Sequence, residues 1–342
     1  MEKQQFSHPK VFMAHFFRYR SSSVFMVFVG LVVLFSFFSH YRFISGGNLQ
    51  ILLALGSEFN IVVLGVGILM ISGEFDLSIG SIIVFCSFIF IRLFEMGMNL
   101  FLAGLITLGV GAILGWLNGL ITVKGQIPSF IATLGTMMLW RGMTLLLSQG
   151  FSRPFDLMAS PTFSQVLTGV IGGVVPVQII WFAALALTLG VILHFHRFGN
   201  WVYATGDNKN AARAMGIKTD RVKTICFILV GVLCALVAVM QIVRVSTFSS
   251  RAADGWELKA VAASVVGGTS LMGGIGSMVG VALGTIIISA IENGLVVLRI
   301  PYFWTYTVFG LVIVFSVLFS RYVEARKLKH ISKLSETSPE KS

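Results

Sequence analysis

Residues 100–123 read LFLAGLITLGVGAILGWLNGLITV, a run of 24 residues without a charged side chain. An α-helix rises about 1.5 Å per residue, so about 20 apolar residues cross the hydrocarbon core of a bilayer. Over the whole chain of 342 residues, 56% are apolar and only 11% are charged. A water-soluble protein of this length does not have that balance. The stretch therefore predicts a membrane-spanning helix, and the composition predicts many of them.

Ten segments have the apolar character of such helices, and the eighth is short enough to be a re-entrant or broken helix. They are Ser22–Ser39, Leu49–Ile71, Ile79–Glu95, Leu100–Val123, Ser129–Ser148, Gln178–His194, Thr224–Val243, Leu258–Leu271, Ile275–Leu298 and Tyr302–Ser320. We predict an all-α polytopic membrane protein with about ten transmembrane helices. Its membrane domain, residues 22–320, lies between a cytoplasmic segment, 1–21, and a basic cytoplasmic tail, 321–342.

The net charge of +11 is concentrated at the ends of the predicted spans. With the N-terminus inside, 17 of the 25 Lys and Arg residues are cytoplasmic. Because Lys and Arg near span ends resist translocation, this distribution predicts that both termini are inside. The basic excess is then a topology signal, so we expect contact with membrane lipid and none with nucleic acid.

A weak internal repeat relates the fourth and ninth spans. Residues 109–130, GVGAILGWLNGLITVKGQIPSF, resemble residues 276–303, GSMVGVALGTIIISAIENGLVVLRIPYF. Each copy has three glycines spaced by four residues, then Asn-Gly-Leu, a basic residue and Ile-Pro-x-Phe. The first copy would run inward and the second outward. This predicts a five-plus-five inverted repeat, a common plan of transport proteins.

One long polar segment, residues 194–223, interrupts the apolar spans: HFHRFGNWVYATGDNKNAARAMGIKTDRVK. It carries six Lys or Arg against two Asp, which predicts a cytoplasmic loop over residues 195–223. Within it, Asn208 is a potential N-cap and Gly216 a potential C-terminal stop of a short helix. A capped helix at the inner face of the membrane is an element on which another protein could act.

Several polar side chains lie within or beside the predicted spans. They are Glu58, Asn60, Asn118, Arg141, Lys259, Glu292 and Asn293. Such groups are costly at bilayer depth, so they mark either a solute path or an interhelical hydrogen bond. For Arg141 and Lys259 we favour the structural interpretation; for the others both remain open. A path lined by Glu58, Asn60, Asn118, Glu292 and Asn293 suits a neutral hydroxylated solute better than an ion.

Two glycine-containing segments are candidate turns or hinges. In GEFDLSIGS, residues 73–81, Glu74 precedes Asp76 and Ser78, either of which could cap the third helix. In GGTSLMGGIGS, residues 267–277, five of eleven residues are glycine, which indicates a hinge or a broken helix. The candidate hinge glycines are Gly267, Gly268, Gly273 and Gly274.

No catalytic, metal-binding or nucleotide-binding motif is present in the sequence. The three cysteines fall within apolar spans without metal-ligand spacing, so we expect them to be packing residues. We therefore expect a transport protein that is not an enzyme and holds no metal or cofactor itself. If the protein is part of a pump, the subunit that hydrolyses the nucleotide is another chain.

Four segments together resemble one family, the permease subunits of ribose-type ABC importers of sugars and related solutes such as autoinducer-2. GEFDLSIGS is similar to the family's Gly-Gly-Ile-Asp-Leu-Ser-Val-Gly-Ser turn, with Glu74 in place of a glycine. ATGDNKNAARAMGIKTDRVK is similar to its cytoplasmic loop, GGTSLMGGIGS to its late glycine-rich segment, and IPSFIATLGTMMLWRG to the opening of its fifth span. The resemblance covers about Gly46 to Ser320.

The resemblance implies a bacterial inner-membrane complex. Its partners would be a second permease copy or a paralogue, two cytoplasmic ATPase subunits that hold ATP-Mg, and a periplasmic or lipid-anchored solute-binding protein. The 208–216 helix, capped by Asn208, would dock on the ATPase, with Ala211, Ala212 and Gly216 in close contact and Arg213 in polar contact. Glu74 would affect substrate choice only if its turn approaches the solute path. The alternative is an ion-coupled secondary transporter that works without an ATPase.

Overall fold

The computed structural model describes residues 20–301, 303–311, 314, 315 and 318. Its α-helices are α1 (Arg20–Phe38), α2 (Gly46–Ile71), α3 (Ile79–Glu95), α4 (Leu100–Lys124), α5 (Ser129–Ser148), α6 (Pro161–Thr168), α7 (Val177–Phe195), α8 (Arg197–Asp207), α9 (Lys209–Ala214), α10 (Thr219–Val245), α11 (Trp256–Val266) and α12 (Met278–Val297). Residues 303–311 are also helical. The predicted tail, 321–342, nearly all of the predicted N-terminal segment and parts of the tenth span lie outside the described residues.

Six of the described helices are long and apolar enough to cross a membrane: α2, α4, α5, α7, α10 and α12. The prediction of a helical protein with several membrane spans is therefore confirmed. Two of the other predicted spans are shorter helices, with 17 residues in α3 and 11 in α11. At about 1.5 Å per residue, α11 crosses roughly half of a hydrocarbon core. The count of ten and the orientation stay predictions.

Helix α10 packs closely against the glycines of α4. A Cβ atom on Gly111 would lie 2.3 Å from the carbonyl oxygen of Gly231, and one on Gly115 would lie 2.2 Å from that of Phe227. Such contacts between small residues let helix backbones approach closely where lipid removes the hydrophobic drive between helices. The glycines of the first repeat copy therefore serve close packing.

Helix α12 makes comparable contacts with α11 and the turn that follows α11. A Cβ atom on Gly284 would lie 2.2 Å from the Ala263 carbonyl oxygen, and one on Gly280 would lie 2.1 Å from that of Gly267. Helix α12 also packs on α2. In a five-plus-five repeat, each span of the first half corresponds to the span five places later. The contact between the fourth and seventh spans (α4 and α10) therefore corresponds to the contact between the ninth and second spans (α12 and α2). Both contacts exist, which agrees with the predicted repeat without establishing it.

The two long connections are folded. Between α5 and α7 lie β1 (Arg153–Pro154), a 3₁₀ turn, α6, and the hairpin of β2 (Val170–Ile171) and β3 (Val175–Pro176). Strand β1 pairs antiparallel with β4 (Thr247–Phe248), which follows α10. The predicted cytoplasmic loop is also mostly helical, because it contains α8, α9 and the first turn of α10. Within this segment, only α9 was predicted to be helical.

Candidate functional site

A cavity of about 300 Å³ lies between α2, α10, α11 and α12. Its lining residues are Ile51, Leu52, Leu55, Gly56, Glu58, Phe59, Arg244, Trp256, Ser289, Glu292, Asn293 and Val296. Predicted path residues from two distant parts of the sequence, Glu58 and the Glu292–Asn293 pair, thus share one cavity. Apolar side chains form most of the wall and polar groups are few, as is typical of small-molecule sites.

Glu58 is paired with Arg244 at the cavity wall. The guanidinium donates from Nε to Glu58 Oε1 at 2.7 Å and from Nη2 to Oε2 at 2.9 Å. Glu58 is 1% exposed, and a carboxylate buried so deeply needs such a bidentate partner to offset its lost hydration. Nothing in the sequence indicates this partner, since Arg244 is 186 residues away and directly follows the end of the predicted seventh span.

Glu292 and Lys259 form a second ion pair, with Nζ 2.7 Å from Oε1. The Lys259 ammonium also lies 5.3 Å from the centroid of the Phe309 ring. The structural interpretation of Lys259 is therefore supported, and Glu292, whose side chain is 34% exposed, is the member that lines the cavity. Arg141 is likewise structural, because it donates to the Ser250 carbonyl oxygen at 2.9 Å.

The two asparagines predicted beside these carboxylates differ in position. Asn60 is 4% exposed and accepts hydrogen bonds from Thr285 and Ser289 of α12 at 2.7 and 2.9 Å. It lies in the α2–α12 interface and is not among the lining residues. Asn293 lines the cavity and exchanges two hydrogen bonds with Asn48, at 2.8 and 3.1 Å.

Asn118 belongs to a separate buried cluster in the GEFDLSIGS turn. Its Nδ2 donates to Ser78 Oγ at 2.7 Å and to Asp76 Oδ2 at 3.2 Å. The amide and hydroxyl of Ser78 both donate to Asp76 Oδ1, at 2.8 and 2.6 Å. Ser78 occupies the N-cap position of α3, but neither it nor Asp76 makes the predicted cap, because these bonds tie the two side chains together instead.

Four glycines form a close backbone junction between α8 and the ends of α2 and α12. We call Gly73, Gly206, Gly273 and Gly274 the glycine junction. A Cβ atom on Gly206 would lie 1.9 Å from the Ile71 carbonyl oxygen, and one on Gly273 would lie 2.8 Å from the Gly206 carbonyl oxygen. Gly273 and Gly274, two of the predicted hinge glycines, thus contact the predicted cytoplasmic segment. Gly267 and Gly268 lie beyond the junction, at the end of α11.

Two side chains reinforce the glycine junction. The Tyr203 hydroxyl donates to the Gly276 carbonyl oxygen at 2.8 Å. Burial raises the pKa of Tyr203 above its usual value, so the hydroxyl keeps its proton and remains a donor. Lys223 pairs with Glu74, and both side chains are largely buried. Glu74 therefore lies beside the cytoplasmic segment and is not a lining residue of the cavity.

Helix α9 has the predicted cap and stop. Asn208 Oδ1 accepts from the backbone amides of Asn210 and Ala211, at 3.1 and 3.0 Å. Gly216 has a φ of +82°, and the amide of the next residue, Ile217, donates to the Ala212 carbonyl oxygen at 3.0 Å. This is the usual backbone arrangement at a helix C-terminus that ends in glycine.

The exposed face of α9 differs from the predicted one. Ala212 is only 1% exposed, so its methyl group packs within this chain and cannot make the predicted close contact with a partner in this conformation. Ala211 and Gly216 are exposed, and Met215 is 71% exposed. Arg213 donates to Thr219 at 2.9 Å and to Asp220 at 2.5 Å.

Among the described residues, no group of three potential metal ligands of the His, Cys, Asp or Glu type occurs. Cys86, Cys226 and Cys234 are buried free thiols, in agreement with their predicted packing role. Trp256 and Arg244 are two of the cavity residues that sequence analysis missed. Trp256 lies edge-on to Phe59, with ring centroids 5.3 Å apart.

A bundle of apolar helices around a small cavity that contains paired charges, with a capped helix on a basic segment, defines a membrane transport protein. Residues 48–317 match the family described as branched-chain amino acid transport system / permease component, and the chain belongs to this family. It is thus a multi-pass membrane transport component and not an enzyme.

Relatives of this chain include several import permeases. The chain is 34% identical to the xylose/arabinose import permease protein XylH of Sulfolobus acidocaldarius, over 91% of this chain and 88% of the relative. It is 35% identical to the autoinducer 2 import system permease protein LsrC of Yersinia enterocolitica, over 80% and 75%. It is 33% identical to the ribose import permease protein RbsC of Haemophilus influenzae, over 88% and 94%. No solved structure matches this chain.

Proposed function

We propose that this chain is the permease subunit of an ATP-driven importer for a neutral, sugar-like solute. The observation that carries the proposal is the cavity of about 300 Å³ in which each charged lining residue is already ion-paired. Names of the relatives, which refer to import of pentoses or autoinducer 2, favour the same solute class.

The charges of the cavity favour a sugar over an amino acid. Arg244 is neutralised by Glu58, and Glu292 by Lys259, so the lining has no unpaired charge for a carboxylate or an ammonium group. A zwitterion would have to displace a pair or enter without a counter-ion, and both are costly in a partly buried site. Hydroxyl groups need only hydrogen bonds.

Coupling to ATP hydrolysis is assigned to α9. The helix is short and capped at both ends, and it presents Ala211 and Met215 to solvent while Ala212 anchors it to the chain. We propose that this exposed face docks on a cytoplasmic ATPase pair that holds ATP-Mg, and that Arg213 stabilises the surface through Asp220. We therefore assign the contact with the ATPase to these exposed residues and not to Ala212.

The glycine junction connects α8, and through it α9, to two helices that line the cavity. Helix α8 directly precedes α9 and lies against the last residue of α2 and the turn before α12. Those two helices carry Glu58 and Glu292. A displacement of α8–α9 by an ATPase would therefore move two cavity walls, as a rigid-body switch between outward-open and inward-open states requires.

With both termini inside, α2 begins at the outer surface, and α10 and α12 end there. The lining residues lie in the outer halves of these helices, where a solute delivered by a periplasmic or lipid-anchored binding protein would arrive. The complex would also contain a second permease copy or a paralogue. Asn60 and Asn118 are then packing residues near the path, whereas Glu58, Glu292 and Asn293 line it.

The test is purification of the tagged chain from its native membrane, with assays of ATPase activity and of uptake in proteoliposomes. We expect a co-purifying ATPase and ATP-dependent uptake of a radiolabelled pentose. Uptake by the chain alone, driven by a proton or sodium gradient without ATP, would establish the ion-coupled secondary transporter instead.

A further inference from the structure

We propose that the cavity is itself a recognition site for one monosaccharide, in which Trp256 forms the apolar wall and Arg244 and Glu292 supply a donor and an acceptor. Selectivity would then reside partly in the permease and not only in a binding protein. This inference rests on the proposed function and assigns the solute size and the residues that select it.

Trp256 is held in a defined position at the cavity. It is the first residue of α11 and follows Gly255, whose φ of +75° turns the chain sharply into the helix. Phe59 packs against it with an interplanar angle of 84°, a preferred geometry for aromatic pairs. An indole fixed in this way offers apolar surface to the C–H groups of a sugar ring.

Arg244 and Glu292 retain hydrogen-bonding capacity. Within the described residues, Arg244 uses Nε and Nη2 for Glu58, and Nη1 makes no hydrogen bond. Glu292 accepts from Lys259 through Oε1, and among the same residues Oε2 accepts none. A hydroxyl group both donates and accepts, so adjacent sugar hydroxyls can satisfy both groups without disturbing either ion pair.

The volume of the cavity limits the solute to about one sugar ring. About 300 Å³ corresponds to roughly ten water molecules at about 30 Å³ each. A pentose or hexose has roughly 10 to 12 non-hydrogen atoms, and bonded atoms occupy less volume each than separate water molecules, so one ring fits with room for a few waters. A disaccharide has about twice as many atoms and would have to extend beyond this cavity.

The experiment measures binding to the purified permease in nanodiscs, without ATPase or binding protein. Isothermal titration calorimetry would compare D-ribose, D-xylose and D-glucose with maltose and L-leucine. We expect binding of at least one monosaccharide, with maltose and leucine at least tenfold weaker. Failure of all three monosaccharides, or tighter binding of maltose or leucine, would overturn the proposal.

Variants then locate the site. Trp256→Ala should weaken monosaccharide binding at least tenfold, and Trp256→Phe, which retains an aromatic ring, should recover part of it. Trp116→Ala is the matched control, because Trp116 is 44% exposed and does not line the cavity. Unchanged binding in Trp256→Ala would contradict the assignment. If Trp256→Ala does not fold, the double variant Glu58→Gln with Arg244→Gln is tested instead. Unchanged monosaccharide binding in that double variant would also contradict the assignment.

The outcomes separate this inference from the proposed function. ATP-dependent uptake without measurable binding to the permease alone would leave the importer function intact and refute the recognition site. Monosaccharide binding without any ATP-dependent uptake would support the site and refute the coupling to an ATPase. In complete transport complexes, Trp256→Ala should raise the KM for the solute, whereas Trp116→Ala should leave it unchanged.

Discussion

The backbone amide of Gly274 donates a 2.8 Å hydrogen bond to the carbonyl oxygen of Ile71. This bond joins the last residue of α2 to the turn before α12, and Gly206 of α8 lies against both of its partners. Three segments that are far apart in sequence therefore meet through main-chain atoms. Because main-chain atoms have little rotational freedom, we expect a displacement of α8 to move α2 and α12 as well.

Gly206→Ala should damage this contact. The added Cβ would lie 1.9 Å from the Ile71 carbonyl oxygen, a distance that only a backbone shift can relieve. We expect a loss of about 1–3 kcal/mol in the free energy of unfolding and at least a tenfold loss of ATP-dependent uptake. Gly142→Ala is the control, since a Cβ there meets no atom within 4 Å. Equal uptake by the two variants would show that the contact does not transmit motion.

Ala211→Arg should prevent association with the ATPase and leave the permease folded. Ala211 is exposed on α9, so the long charged side chain alters the docking face without entering the core. We expect loss of co-purified ATPase activity with an unchanged melting temperature. Met158→Arg places the same charge on a residue that is 76% exposed in the α5–α7 connection, and it should retain the ATPase. Retention by both variants would place the coupling surface elsewhere.

Arg244→Ala should destabilise the protein more than removal of the whole pair. The single change leaves Glu58 buried without its counter-ion, which typically costs about 3–5 kcal/mol. Replacing both Glu58 and Arg244 by Gln removes the charges and should cost less. The exposed pair of Arg92 and Glu95 is the reference, and Arg92→Gln should cost less than about 1 kcal/mol. Unfolding by SDS titration in mixed micelles compares these three variants with the unaltered protein. Equal losses in the Arg244→Ala variant and the double variant would argue against a paired charge.

The early spans were well predicted because their ends carry local signals. The bounds of α3 and α5 agree with the predicted spans, and α4 differs by one residue. Asn99 caps α4, and Pro128 precedes α5, so composition and capping chemistry both mark these ends. The cap and stop of α9 were predicted for the same reason.

Helix α8 was not predicted because close backbone contacts require both of its glycines. A Cβ atom on Gly199 would lie 1.9 Å from the Leu193 carbonyl oxygen, and Gly206 is equally close to that of Ile71. Glycine lowers local helix propensity, so the segment resembles a loop until its packing is known. The partners of Glu58 and Asn118 were also missed, because nothing local indicates which distant side chain meets a buried polar group.

Asn118→Ala and Asn293→Ala should separate the packing asparagine from the cavity asparagine. Asn118 is 0% exposed and bonds to Asp76 and Ser78, so its loss should leave these groups short of a partner and cost about 1–3 kcal/mol in stability. Its effect on monosaccharide affinity should be less than threefold. Asn293 lines the cavity, so its replacement should change solute affinity or preference with a smaller loss of stability. The measurements are unfolding in mixed micelles and calorimetric titration of the same samples. A larger change in affinity for Asn118→Ala than for Asn293→Ala would place the solute path at the GEFDLSIGS turn and not at the cavity.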